Sequence, residues 1–91
     1  MTMIDVWVEV DGNAVAQALR EAGEQLDSAG SDVFLDFSAV RRLDPGGLRA
    51  LEDFAVAADG KAVKVTLRGV NVDVYKVLKL ARLASRFSMV N

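Results

Sequence analysis

Hydrophobic and polar residues alternate along this chain with two different periods, and the switches between them outline its elements. Ile4, Val6, Val8 and Val10 alternate with Asp5, Trp7 and Glu9, the period of two that marks a strand with one apolar face. Asp11-Gly12-Asn13 then offers turn and N-cap chemistry. Val15, Ala18, Leu19, Ala22 and Leu26 follow at helical spacing. Gly23 weakens that helix by about 1 kcal/mol relative to alanine, and Ser28-Ala29-Gly30-Ser31 closes it.

Val33-Phe34-Leu35-Asp36-Phe37 is a short, nearly continuous apolar run, as expected of a central strand. Asp44-Pro45 opens a second helix, because aspartate is a favoured N-cap and proline at the first helical position loses no useful hydrogen bond. Leu48, Leu51, Phe54, Ala55 and Ala58 form its stripe, and Asp59-Gly60 stops it. Val63, Val65 and Leu67 alternate with Lys64, Thr66 and Arg68 as a further strand, and Gly69 turns the chain. Asn71 or Asp73 starts a third helix with Val74, Val77, Leu78 and Ala81 inward; Phe87-Ser88-Met89-Val90 reads as a short last strand. The order is β-α-β-α-β-α-β, and right-handed crossovers then give a mostly parallel sheet.

The chain has 91 residues, 52% of them hydrophobic and 26% charged, which fits one globular domain over residues 1–91 with a single core. It has no cysteine and no histidine. That excludes a disulfide framework, a zinc site of the usual type, and nucleophilic catalysis by a Ser–His or Cys–His pair. No convergent acid–base–nucleophile set stands out, so an enzyme is disfavoured and no metal or cofactor is expected. No apolar run approaches the ~18 residues that span a bilayer, and the N-terminus lacks the basic region of a signal peptide. A cytoplasmic protein without direct membrane insertion is the expectation.

The net charge of −2 gives nucleic acid no general attraction. Its distribution is uneven. Residues 1–40 carry eight acidic groups and one basic, 1 − 8 = −7, whereas residues 41–91 carry ten basic and five acidic, 10 − 5 = +5. Alternating βα units interleave the halves, so these charges are expected to mix.

Three stretches carry a resemblance. They are Val33-Phe34-Leu35-Asp36-Phe37-Ser38-Ala39-Val40, Leu43-Asp44-Pro45-Gly46-Gly47-Leu48, and Leu67-Arg68-Gly69-Val70. In that order and spacing the chain resembles the STAS domain of anti-sigma-factor antagonists over residues 6–90. That family runs an apolar strand ending D-L-S-x-V, then I-D-S-S-G-L opening a helix, then a strand ending in a Gly-Val turn. The segment Val74-Tyr75-Lys76-Val77-Leu78-Lys79-Leu80 is especially similar to the STAS subunit of Mla-type phospholipid-transport ABC complexes. Val8-Glu9-Val10-Asp11 matches the family's G-E-L-D.

The resemblance implies an α/β domain with about four strands and helices mainly on one face. It implies a non-catalytic module that binds a regulatory protein such as a serine-kinase/anti-sigma factor, or alternatively an accessory subunit bound to the ATPase of a lipid-transport ABC complex. Three departures matter. Pro45 stands at the family's phosphoacceptor serine, so no acceptor hydroxyl exists there. Gly46 replaces the next Ser or Thr. The chain is also expected to lack room for the N-terminal hairpin strand and the C-terminal helix that many members carry.

The candidate partner-binding residues are Asp11, Arg41, Arg42, Asp44, Pro45, Gly46, Gly47 and Arg49. Asp11 and Asp44 match the family's paired carboxylates; their plainer role is to cap two helices. Helix N-termini bind anions, yet Pro45-Gly46-Gly47 lacks a P-loop lysine and a G-x-G-x-x-G pattern, and Asp44 repels phosphate. Ser38 reads as a turn-forming hydroxyl rather than a phosphosite, and Tyr75 as a half-exposed structural residue. Trp7 and Phe34 share the strand face away from the helices if their strands align. That face is then either a homodimer surface or one shielded by long side chains.

Overall fold

The structure, a computed structural model, describes residues 6–26 and 32–90. Ile4, Asp5 and the segment 28–31 lie outside them. The elements are β1 (Val6–Glu9), α1 (Val15–Glu24), β2 (Asp32–Asp36), α2 (Pro45–Gly60), β3 (Lys64–Arg68), α3 (Val72–Leu80), a 3-10 turn (Ala84–Arg86) and β4 (Ser88–Val90). The strands form one four-stranded sheet in the order β1-β2-β3-β4, every neighbouring pair parallel. Each crossover is right-handed in almost all such sheets. Stepping three times in one direction therefore stacks all three helices on one face.

The register decides which residues meet that layer. Val6, Val33 and Val65 stand in one row, and Val8, Leu35, Leu67 and Met89 in the next. From the helices come Leu19 and Ala22 of α1, Leu51, Phe54, Ala55 and Ala58 of α2, and Val74 and Leu78 of α3, all buried in the same core. The apolar stripes read from sequence are thus the packed ones. Phe37, just past β2, is fully buried; a phenylalanine removed from water contributes about 1.5–3 kcal/mol.

Among the described residues, no helix lies on the opposite face. Trp7, Phe34, Thr66 and Ser88 form a row across it, with Glu9, Asp36, Arg68 and Val90 in the row above. Trp7 and Phe34 do align: their rings stack with centroids 5.5 Å apart and planes 25° apart. The Arg68 guanidinium lies 5.7 Å from the Trp7 ring centroid and 3.7 Å from the Asp36 carboxylate. A long side chain from the basic half thus covers aromatic surface and an acid from the acidic half.

Helix ends depart from expectation in two places. α1 stops at Glu24, capped by the backbone of Gln25, short of the Ser/Gly stretch. α2 runs through Asp59 and Gly60, and the left-handed residue that ends it is Ala62, at φ 56°. The Val63 N–H donates to the Ala58 carbonyl and the Ala62 N–H to that of Asp59, the paired bonds of a Schellman motif. α3 ends the same way: Arg82 is at φ 61°, Leu83 N–H donates to Leu78 and Arg82 N–H to Lys79. Glycine was expected to stop α2 by position in sequence, but the motif places its left-handed residue two positions later.

A side chain in the left-handed region costs about 1 kcal/mol, and glycine inside a helix about the same. A Cβ added to Gly60 meets nothing within 4 Å. The swap Gly60→Ala with Ala62→Gly relieves both and should therefore raise stability by about 2 kcal/mol, read as a higher urea midpoint with unchanged slope.

Candidate functional site

Parallel strands present all their C-terminal ends at one edge of the sheet, where open α/β folds place their ligand-binding loops. Here that edge carries the β1–α1, β2–α2 and β3–α3 loops. Two glycines let them close on one another. A Cβ on Gly12 would lie 2.2 Å from the Ala39 carbonyl oxygen, so the β1–α1 loop touches the β2–α2 loop through bare backbone. Gly69 sits at φ 72°, with its Cβ position 3.0 Å from the Ser38 side chain.

Asp44 is the N-cap of α2. Its backbone is extended, and its Oδ1 accepts from the Gly47 N–H at 2.6 Å, with Pro45 at the first helical position. Asp11 is not a cap. The N-cap of α1 is Ala14, without a side-chain hydrogen bond. Asp11 Oδ1 instead accepts from the Asn13 N–H at 2.8 Å, and its carbonyl accepts from the Ala14 N–H. Three residues separate it from Val15, so its carboxylate bends back into a local turn and stays short of the helix N–H groups.

The residues singled out from sequence gather in adjoining depressions. Asp11, Arg41 and Arg42 line one shallow cleft. Arg42 also borders the next, with Asp44, Pro45 and the α3 residues Asp73 and Val77. Gly46 and Arg49 face the other flank of α2, along the groove it forms with α1. Gly47 is buried, its Cβ position within 3.2 Å of Leu43, Asp44 and Val15 side-chain atoms. It seats the helix start on α1 and exposes no group of its own.

Asn71 holds this surface together, and sequence reasoning saw only half of its role. Its Oδ1 caps α3 by accepting from the Val74 N–H at 2.8 Å. Its Nδ2 donates to the carbonyls of Val40 and Arg41, at 3.3 and 3.2 Å. One amide thus ties the loop that carries Arg41 and Arg42 to the start of α3. The cap was visible as an asparagine before an amphipathic run; the second half joins positions 30 residues apart.

The turn at Ser38, expected from its hydroxyl, is closed instead by the Asp36 carboxylate. The Ser38 N–H donates to Asp36 Oδ1 at 2.9 Å. The Ser38 hydroxyl, then its backbone N–H, and the Arg68 charge outweigh partial burial and hold the Asp36 carboxyl below the usual aspartate range.

A family model described as "Mlab, STAS domain" matches residues 5–91. The chain belongs to the STAS family. No curated protein matches it in sequence. Among solved structures, this STAS domain is similar to a sulfate transporter family protein from Wolinella succinogenes. The TM-score is 0.77 at 20% identity, covering 93% of this chain and 75% of that one. A putative anti-sigma factor antagonist from Thermotoga maritima gives 0.73 at 16%, covering 100% and 75%. The anti-sigma factor antagonist SpoIIAA in its unphosphorylated form gives 0.75 at 17%, covering 100% and 84%. At such identities these likenesses speak for the fold: the STAS architecture of four parallel strands and three helices is the one expected. No helix among the described residues is long and apolar enough to cross a membrane.

Two outcomes follow from the polar ties. Asp44→Ala should cost about 1 kcal/mol through the lost cap. Asn71→Asp keeps an acceptor for the Val74 N–H but loses both donors, so α3 should persist by circular dichroism while amide exchange speeds up around Val40–Arg42. Unchanged exchange there would show that Asn71 does not hold the loop.

A third outcome concerns pH. The folded state lowers the Asp36 pKa, so this group contributes stability above its unfolded pKa of about 3.9. That contribution is lost as pH falls through the lower, folded value. Asp36→Asn should remove it, giving a shallower fall of unfolding free energy below about pH 4 than the parent chain shows. Parallel acid limbs would mean the carboxylate is not selectively stabilised.

Proposed function

We propose that this STAS domain is a non-catalytic, cytoplasmic interaction module whose partner docks on the start of α2 and the loops beside it. The observation that carries the reading is the helix start itself. Asp44 and Pro45 are exposed, Asp44 is locked as the cap, and Arg41 and Arg42 flank it on a loop clamped by Asn71. A surface fixed in this way binds with a reduced ordering cost, and its arginines, without an ion pair among the described residues, suit an acidic partner. Asp11, across the Arg41–Arg42 cleft, would receive a basic group.

A regulator of the serine-kinase/anti-sigma-factor type fits this surface by family resemblance. Phosphorylation at a helix start adds about two negative charges, and Pro45 offers no hydroxyl to receive them. The module would then stay in its binding-competent state. A second reading, an accessory subunit on the ATPase of an Mla-type lipid-transport complex, is favoured by the description of the matching family model and does not require an acceptor serine.

Arg41→Glu with Arg42→Glu tests the surface. Both side chains are exposed, so the fold should hold within about 0.5 kcal/mol. Partner capture should weaken at least about tenfold, since like charges brought to an interface cost several kcal/mol. Mass spectrometry of the captured protein separates a kinase-type regulator from a transporter ATPase. Incubation of the parent chain with a serine kinase and ATP should leave its mass unchanged. Undiminished capture by the double variant would move the interface elsewhere.

A further inference from the structure

On the outer side of the helical layer, α1 and α2 leave an apolar groove of about 410 Å³. Leu19 and Phe54 form its floor, Gly46 lies at its α2 N-terminal end, and Arg20, Arg49 and Asp53 line its rim. Both arginines are exposed. Among the described residues neither guanidinium has an ion pair or hydrogen bond.

Shape and charge together limit what can lie there. The lining positions recur at helical spacing, over 16–23 on α1 and 46–57 on α2. At 1.5 Å per residue the groove therefore runs roughly 10–16 Å along the two helices. A trough between two helices is what a third helix packs into. The apolar floor asks for an apolar stripe; Arg20 on the α1 wall and Arg49 on the α2 wall ask for a carboxylate on each side of it, and Asp53, one turn from Arg49, leaves the rim net positive. A fatty acid brings one carboxylate and leaves one arginine unmatched. A second copy of the chain, pairing groove to groove, would bring together two rims that each carry two arginines and one aspartate and are net positive.

We propose that the α1–α2 groove receives one amphipathic helix of the partner, apolar along its buried stripe and acidic along both edges. The proposal deepens the interaction-module reading and rests on it. It names the chemistry of the partner and extends the contact from the start of α2 at Gly46 along the flank that carries Arg49.

The test uses a synthetic 14-residue helix with leucines at i, i+3, i+4 and i+7 and glutamates beside them, and a twin with lysines for the glutamates. Each is titrated into the isotope-labelled chain and followed by amide chemical shifts. The acidic peptide should shift Gly23, Gly46 and Ala50 saturably, and the basic twin should not. Arg20→Glu with Arg49→Glu should weaken the acidic peptide at least about tenfold. Arg20→Lys with Arg49→Lys should retain most of the binding. Urea curves check that each variant is folded.

Absent shifts in the groove, or equal affinity for the basic twin, would overturn the proposal. So would laurate displacing the acidic peptide, which assigns the groove to an acyl chain. Shifts at the same amides that grow with protein concentration alone would assign it to a second copy. Capture of the natural partner that is lost with the Arg41/Arg42 reversal but untouched by the Arg20/Arg49 reversal would sink this proposal and leave the interaction reading standing. Loss of neither would sink both.

Discussion

Three right-handed crossovers taken in the same direction constrain everything else in this domain. Because β1, β2, β3 and β4 lie in chain order, each connecting helix must return over the same face. One face of the sheet is thereby buried, and among the described residues the other carries no helix. The same constraint brings three loops together at the carboxyl edge. Gly12 and Gly69, where a side chain would collide with Ala39 or Ser38, are the local terms on which those loops meet.

Three side chains then convert loop proximity into a defined surface, each by offering its oxygen to a nearby backbone N–H. Asp44 closes the start of α2, Asn71 closes that of α3, and Asp36 closes the turn after β2. A single cap contributes about 1 kcal/mol, which is large against a net stability of 5–15 kcal/mol. Asn71 differs from the other two in spending its donors as well, on Val40 and Arg41. The loop between β2 and α2 is therefore held from both ends, by a cap of its own helix and by the cap of the next.

Much of this was legible in the chain. The periods of two and 3.6 located all four strands and three helices, because the buried rows Val33/Leu35 and Val65/Leu67 and the stripe Leu51/Phe54/Ala55/Ala58 are the core. Asp44-Pro45 was read correctly as a helix start because cap chemistry is local. Asp11 was misread as a cap for the complementary reason: whether a carboxylate reaches a helix or bends into a turn depends on where the loop is pulled, and that loop is pulled onto Ala39. Gly47 looked like part of an exposed motif, yet its place under Val15 and Leu43 is set by helix packing. The sharing of Gly46 and Arg49 with a groove on α1, and of Arg42 with α3, is tertiary and has no sequence period.

The open face has one further consequence. Trp7 is the single tryptophan of the chain. It is half exposed, stacked on Phe34 and covered by Arg68, on the side of the sheet turned away from the helices. Its indole emission is thus an intrinsic optical gauge of the β1–β2–β3 junction. Loss of that stacking on unfolding changes its surroundings completely, whereas an event confined to the helical layer leaves them as they are. Tryptophan fluorescence of this chain measures whether it is folded while remaining blind to what its helices hold.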